Sequence, residues 1–274
     1  MAEFTTGDGT RIFFKDWGTG QPIVFSHGWP LSADDWDAQM LFFLQHGYRV
    51  IAHDRRGHGR SAQVGEGNDM NHYADDLAAL ADHLDLRDAV HVGHSAGGGE
   101  VARYLGRHGE DRVAKAVLIS AVTPSVLRTD ANPAGVPAEA FAGMHGGVAA
   151  HRADFFRALP SGPFYNFDQP GVEPSEAIIE NWWRQAMMGG AKGQYDCVTA
   201  FVDEDYSEDL RKITVPVLVM HGTADQIVPY GTAAPRAIEL LKNGVLKTYE
   251  GFPHGMPTTQ ADTINADVLA FIRS

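Results

Sequence analysis

Cysteine is almost missing from this chain: Cys197 is the single one in 274 residues, so no internal disulfide can form. The fold must be held by its core, and a chain of this size buries roughly three quarters of its unfolded surface. One thiol also suits a reducing cytoplasm. Basic residues are scarce: 22 Lys and Arg stand against 35 Asp and Glu, a formal charge of −13. With no basic run, nucleic acid and anionic membrane surfaces are poor partners. No apolar stretch approaches the roughly 18 residues of a membrane helix. The polar segment Met1–Gly9 lacks the apolar core of a secretory signal. Repeats and low-complexity tracts are absent, and none of the 13 histidines falls into a metal-ligand spacing. No bound metal is therefore expected.

What is present alternates. Arg11–Asp16, Pro22–Ser26, Val50–Ala52, Ala89–Val92, Ala116–Ser120, Val215–Met220 and Leu246–Tyr249 read as short strands. Between them, Trp36–Gln45, Tyr73–Leu84 and Glu100–Arg107 carry apolar residues at helical spacing. Strands alternating with helices predict a mostly parallel sheet covered on both faces. The rhythm stops from Thr123 to about Leu210, a segment with seven prolines and many aromatics but no clear strand. A structureless loop of that length is not expected in a compact domain. A helical cap fits better, with helices over Ala177–Met188 and Cys197–Val202. The division expected is a core of 1–122 and 211–274 and a cap of 123–210.

The densest signal is Val90-His91-Val92-Gly93-His94-Ser95-Ala96-Gly97-Gly98-Gly99. An apolar strand enters Gly-x-Ser-x-Gly and a helical pattern follows. This resembles the nucleophile elbow of the α/β-hydrolase fold. The serine there sits on a strained turn, so its neighbours must be tiny, and the helix start supplies free N–H groups and partial positive charge. Neither a Gly-x-Gly-x-x-Gly fingerprint nor a Lys-Ser/Thr pair accompanies these glycines, which argues against nucleotide binding. Ser95 is the expected nucleophile.

A serine hydroxyl needs a base. His254, in Gly251-Phe252-Pro253-His254-Gly255, follows the last strand and is the only histidine after His221. The acid should follow a strand between the two. Asp225, after Val217–His221 and before Gln226-Ile227-Val228-Pro229, meets that requirement better than Asp196, Asp203 or Asp205 in the cap. Asp225 would orient His254, which takes the Ser95 proton and returns it to the leaving group. Because His254 must be neutral to do so, kcat/KM is expected to fall at acidic pH. The loop His27-Gly28-Trp29-Pro30 after an early strand supplies one oxyanion donor, the Trp29 N–H, and Ala96 N–H supplies the other. His27 is expected to bond loop backbones, and His53 and His58 are read as structural. Pro30 fixes its own backbone and restricts Trp29, so it is expected to turn the Trp29 carbonyl toward the pocket. Trp29, Pro30, Val122, Phe141, Phe156, Phe201 and Val228 are the expected lining of an apolar substrate pocket under the cap.

Several separated motifs now line up. Ser26-His27-Gly28-Trp29-Pro30, Asp54-Arg55-Arg56-Gly57-His58-Gly59-Arg60-Ser61, Gly93 through Tyr104, Asp196-Cys197-Val198-Thr199-Ala200-Phe201, His221 through Pro229 and Pro253-His254-Gly255 resemble the cofactor-free bacterial haloperoxidases. These are also called non-haem chloroperoxidases, perhydrolases or arylesterases, and γ-lactamases are close to them. The resemblance runs from about Phe4 to Ile272. It implies a mostly parallel eight-stranded sheet with a helical cap after strand 6, and a triad of Ser95, Asp225 and His254. It also implies hydrolysis of small esters, with hydrogen peroxide able to take the acyl group as a peracid that oxidises halide away from the site. Members often assemble, so a homo-oligomer is an expectation of the resemblance. Ala96 departs from the methionine or threonine of many relatives, which leaves room beside Ser95. Ester, lactam and carboxylic acid all fit this reading, so a γ-lactamase or amidase on the same triad is the alternative; a non-catalytic ligand receptor is the other class.

Overall fold

The computed structural model describes residues 2–274. In chain order the sheet strands are β1 (Ala2–Thr5), β2 (Arg11–Trp17), β3 (Pro22–Ser26), β4 (Arg49–His53), β5 (Ala89–His94), β6 (Val113–Ile119), β7 (Val217–Gly222) and β8 (Gly244–Tyr249). The helices are α1 (Asp37–Gln45), α2 (Met70–His83), α3 (Ala96–His108), α4 (Ala138–Ser161), α5 (Glu176–Met188), α6 (Ala191–Val202), α7 (Ser207–Lys212), α8 (Ala234–Leu240), α9 (Met256–Thr259) and α10 (Ala261–Arg273). No helix among the described residues is long and apolar enough to cross a membrane.

The eight strands form one sheet in the order β1-β2-β4-β3-β5-β6-β7-β8. Only the β1–β2 and β2–β4 pairings are antiparallel; the five from β4 to β8 are parallel. Alternation along the central strands divides the core. Ile23, Phe25, Val50, Ala52, Val90 and Val92 meet the side of α1 and α10. Val24, Ile51, Ala116 and Leu118 meet the side of α2, α3 and the cap. That is why the central strands read as continuous apolar runs rather than as alternating ones. Helix starts follow local chemistry: the Asp69 carboxylate accepts from Asn71 N at 3.0 Å and His72 N at 3.1 Å, fixing the start of α2.

β1 and α4 are among the elements that were not legible in the sequence. β1 is four residues long and buries only Phe4, too little to give a pattern. α4 was hidden by Gly146, Gly147 and Pro160, and by a break at His151, whose φ of −141° and ψ of 71° interrupt the helix. The cap between β6 and β7 carries α4, α5 and α6, while α7 packs down onto α3 and α8.

Candidate active site

The sheet delivers Ser95 at the junction of β5 and α3. Its φ of 55° and ψ of −122° are a backbone state that residues with a side chain seldom adopt. The crowding expected from sequence is real. A Cβ on Gly93 would overlap the Gly97 carbonyl, and one on Gly97 would overlap the carbonyls of Ser26 and His27. Strand and helix therefore approach closely only because both positions are glycine. The result lifts the hydroxyl out of the sheet into a cavity that also receives His254.

The loop after β7 places Asp225, which is fully enclosed. Its Oδ1 accepts from Ile227 N at 2.9 Å and Val228 N at 2.8 Å. Its Oδ2 lies 2.8 Å from His254 Nδ1. Burial alone would push this carboxyl up, but the neighbouring His254 and His221 outweigh it and hold it well below the usual carboxylate range. An ionised carboxylate can only accept, so His254 carries its proton on Nδ1 and leaves Nε2 unprotonated. That Nε2 makes no hydrogen bond within the protein. It is the atom able to receive a proton from a hydroxyl in the cavity. The rival carboxylates are committed elsewhere: Asp196 to Lys192 and Asn68, and Asp205 to the start of α7.

His94 and Phe164 confine the imidazole. His94 Nε2 donates to the His254 carbonyl at 3.0 Å, with the two rings 4.8 Å apart. Burial drives the His94 imidazole down to about 3, so it stays neutral beside its neighbour. Phe164 stands edge-on to His254 at 5.0 Å. Neither role was read from sequence. His94 is one residue from the nucleophile, but only the fold brings it to residue 254.

The opposite wall comes from the loop after β3. Neither Trp29 N–H nor Ala96 N–H is spent on another backbone carbonyl, so both remain available to an oxyanion. Behind them is a fully buried charge cluster. Arg55 grips Glu100 Oε2 through Nε at 2.8 Å and Nη2 at 2.5 Å, and its Nη2 also donates to the His27 carbonyl at 2.7 Å. His53 Nε2 reaches Glu100 Oε1 at 2.8 Å. His27 Nε2 accepts from Arg55 N at 3.0 Å while Nδ1 donates to Gly28 O at 2.9 Å. His27, His53 and His58 thus hold backbone and charge behind the site, without facing the cavity. No cluster of three or more His, Cys, Asp or Glu suited to a metal occurs among the described residues.

The cavity measures about 190 Å³. Trp29, Val122, Phe141, Phe201 and Val228 line it as expected, and so do Val126, Met144, Phe164, Trp182 and Gln226, which were not. Two expected residues lie behind the wall instead. Phe156 is 0% exposed and packs edge-on against Trp29 at 5.6 Å and Trp182 at 6.1 Å. Its side of α4 faces the wall's rear, which helical spacing could not reveal. Pro30 is likewise buried off the cavity, after a cis Trp29–Pro30 peptide, and its carbonyl accepts from Gln194 Nε2 at 3.3 Å. α6 also takes the Trp29 indole, whose Nε1 donates to Gln194 O at 2.8 Å. The cap therefore clamps the very loop that carries Trp29.

Residues 21–260 match a family model described as alpha/beta hydrolase fold. Over the full length of both chains, the sequence is 60% identical to a non-heme haloperoxidase of Rhodococcus erythropolis. It is 58% identical to a bifunctional esterase/perhydrolase of Acinetobacter calcoaceticus, again across 100% of each chain. Among solved structures, a bromoperoxidase from Bacillus anthracis superposes with a TM-score of 0.94 at 34% identity, covering all of both chains.

Proposed function

The chain belongs to the α/β-hydrolase family, on its branch of non-haem haloperoxidases and perhydrolases, and from that premise we propose that it cleaves small carboxylic esters through an acyl-enzyme on Ser95 and also transfers the acyl group to hydrogen peroxide. The observation carrying this reading is the 2.8 Å Asp225–His254 bond, with Nε2 of His254 unpartnered and His254 and Ser95 lining one cavity.

The chemistry follows from the atoms. Ser95 Oγ adds to the ester carbonyl as its proton passes to His254 Nε2. The carbonyl oxygen, now negative, is received by the N–H groups of Trp29 and Ala96. Collapse breaks the C–O bond to the leaving alcohol, which takes the proton from His254 and departs. Water then adds to the acyl carbon as His254 takes its proton; collapse breaks the bond to Ser95 Oγ, which takes that proton back, and the carboxylic acid leaves. With hydrogen peroxide in place of water, the same sequence releases a peracid, and halide oxidation follows outside the cavity. No step calls on a bound metal or organic cofactor.

The cavity supports a small acyl group. An engineered apolar cavity of about 150 Å³ holds one benzene, so 190 Å³ admits a short alkyl or single aromatic acyl. Its wall carries no Lys or Arg, which supports an uncharged acyl group over a dicarboxylate. The lone buried cysteine suits a cytoplasmic setting.

The test is p-nitrophenyl acetate hydrolysis by wild type and Ser95→Ala, together with bromination of monochlorodimedone in acetate, peroxide and bromide. Loss of the nucleophile is expected to lower kcat by up to about 10⁶ and to abolish bromination. Equal rates in the two proteins would refute the reading.

A further inference from the structure

Asp225 has one buried neighbour that the triad does not use. His221 lies near the end of β7, 1% exposed, with its ring edge-on to Tyr230 at 5.8 Å. Its Nε2 is 2.8 Å from the Val228 carbonyl. The same nitrogen is 3.2 Å from Asp225 Oδ2. A carbonyl oxygen can only accept, so Nε2 must bear the ring proton. That proton is donated to Val228 O, and the same nitrogen lies 3.2 Å from Oδ2, the oxygen that receives His254 Nδ1–H at 2.8 Å, as a close charge contact. Asp225 is thus fixed on both sides, with Oδ1 on two backbone N–H groups and Oδ2 on two imidazoles.

We propose that His221 is a positioning residue of the triad: held by Val228 O, it keeps the positive N–H edge of its ring 3.2 Å from Asp225 Oδ2 and so takes up part of the carboxylate's negative charge. The proposal rests on the serine-hydrolase reading of Ser95, Asp225 and His254. Its consequence has a sign. A carboxylate that shares its charge with a second donor stabilises a protonated His254 less. Without His221, Oδ2 interacts with His254 alone, protonated His254 is favoured, and the acidic limb of the rate profile moves up. The other titratable groups around this pair are His94, against the far face of His254, and Tyr230, against His221; neither contacts Asp225 through a hydrogen bond.

The experiment is the pH dependence of kcat and KM for p-nitrophenyl acetate in wild type, His221→Leu and His221→Gln. The glutamine Nε2 sits at the same reach as the imidazole Nε2 and restores the donor. For His221→Leu, the midpoint of the acidic limb is expected to rise by about one pH unit, with kcat above the limb down roughly tenfold and KM little changed, the scale of losing one close polar neighbour of an ionised carboxylate. His221→Gln is expected to recover most of both. An unmoved limb in folded His221→Leu, or His221→Gln behaving like the leucine variant, would overturn the proposal. Imidazole ¹⁵N spectra of the wild-type protein test it without any substitution, which covers a leucine variant that does not fold. The expected tautomer of His221 carries its proton on Nε2; a proton on Nδ1 overturns the proposal. Unchanged hydrolysis in Ser95→Ala would instead sink the functional reading, so the two failures are distinguishable.

Discussion

His91 lies in the middle of β5, 0% exposed, with its ring 4.9 Å from Tyr104 and no hydrogen bond on either ring nitrogen. Burial, with His53 nearby, pushes its pKa down to about 3, against a small opposing pull from Glu100. In the unfolded chain a histidine titrates near 6.5. Below that pH the unfolded state binds a proton that the folded state refuses, so stability falls as pH falls from about 6.5 toward 3. For this one residue the loss is on the order of 1 kcal/mol at pH 5.5 and on the order of 3 kcal/mol at pH 4.5. His58 and His94 are driven to about 3 by the same cause, and His27 is lowered well below its ordinary value. All of them act in the same direction, and an ordinary domain is held by only roughly 5–15 kcal/mol. Stability is therefore expected to fall steadily below about pH 6.5.

Replacing His91 with leucine removes one of these protons. Urea unfolding followed by far-UV circular dichroism at pH 7.5 and 5.5 reads the effect. The variant's stability relative to wild type is expected to improve by on the order of 1 kcal/mol between the two pH values. Packing changes at the site enter both measurements equally and cancel in that difference. A relative stability constant to within about 0.5 kcal/mol would refute the linkage reasoning.

Two further outcomes follow from the cavity wall and the charge cluster behind it. Glu100→Ala leaves the Arg55 guanidinium, 1% exposed, without its carboxylate. Stability at pH 7 is expected to fall by about 3–5 kcal/mol in urea melts, and a loss below about 1 kcal/mol would show that Arg55 finds another partner. Phe141→Ala removes an aromatic ring from the cavity wall. The kcat/KM ratio of p-nitrophenyl hexanoate to acetate is expected to rise roughly tenfold, since each methylene newly buried is worth about 0.8 kcal/mol; an unchanged ratio would place the acyl group elsewhere.

The amino-acid sequence by itself determined the nucleophile turn, the alternation of strands and helices, and the strand-free cap. These depend on neighbours in the chain. Gly93 is required by the approach of Gly97 four residues on, and a strand buried on both faces is largely apolar along its length. The order Ser95, Asp225, His254 was also legible, because each follows its own strand. Tertiary structure decided what faces what. His94 and His221 look like ordinary strand-end histidines until the sheet brings one to the carbonyl and the other to the acid partner of His254. Phe156 and Phe164 are equivalent as aromatics of the cap, yet one lies behind Trp29 and the other against the imidazole. Helical spacing tells which residues share a face; only the docking of α4 and its following turn on the sheet, settled by contacts distant in sequence, tells which face closes the cavity.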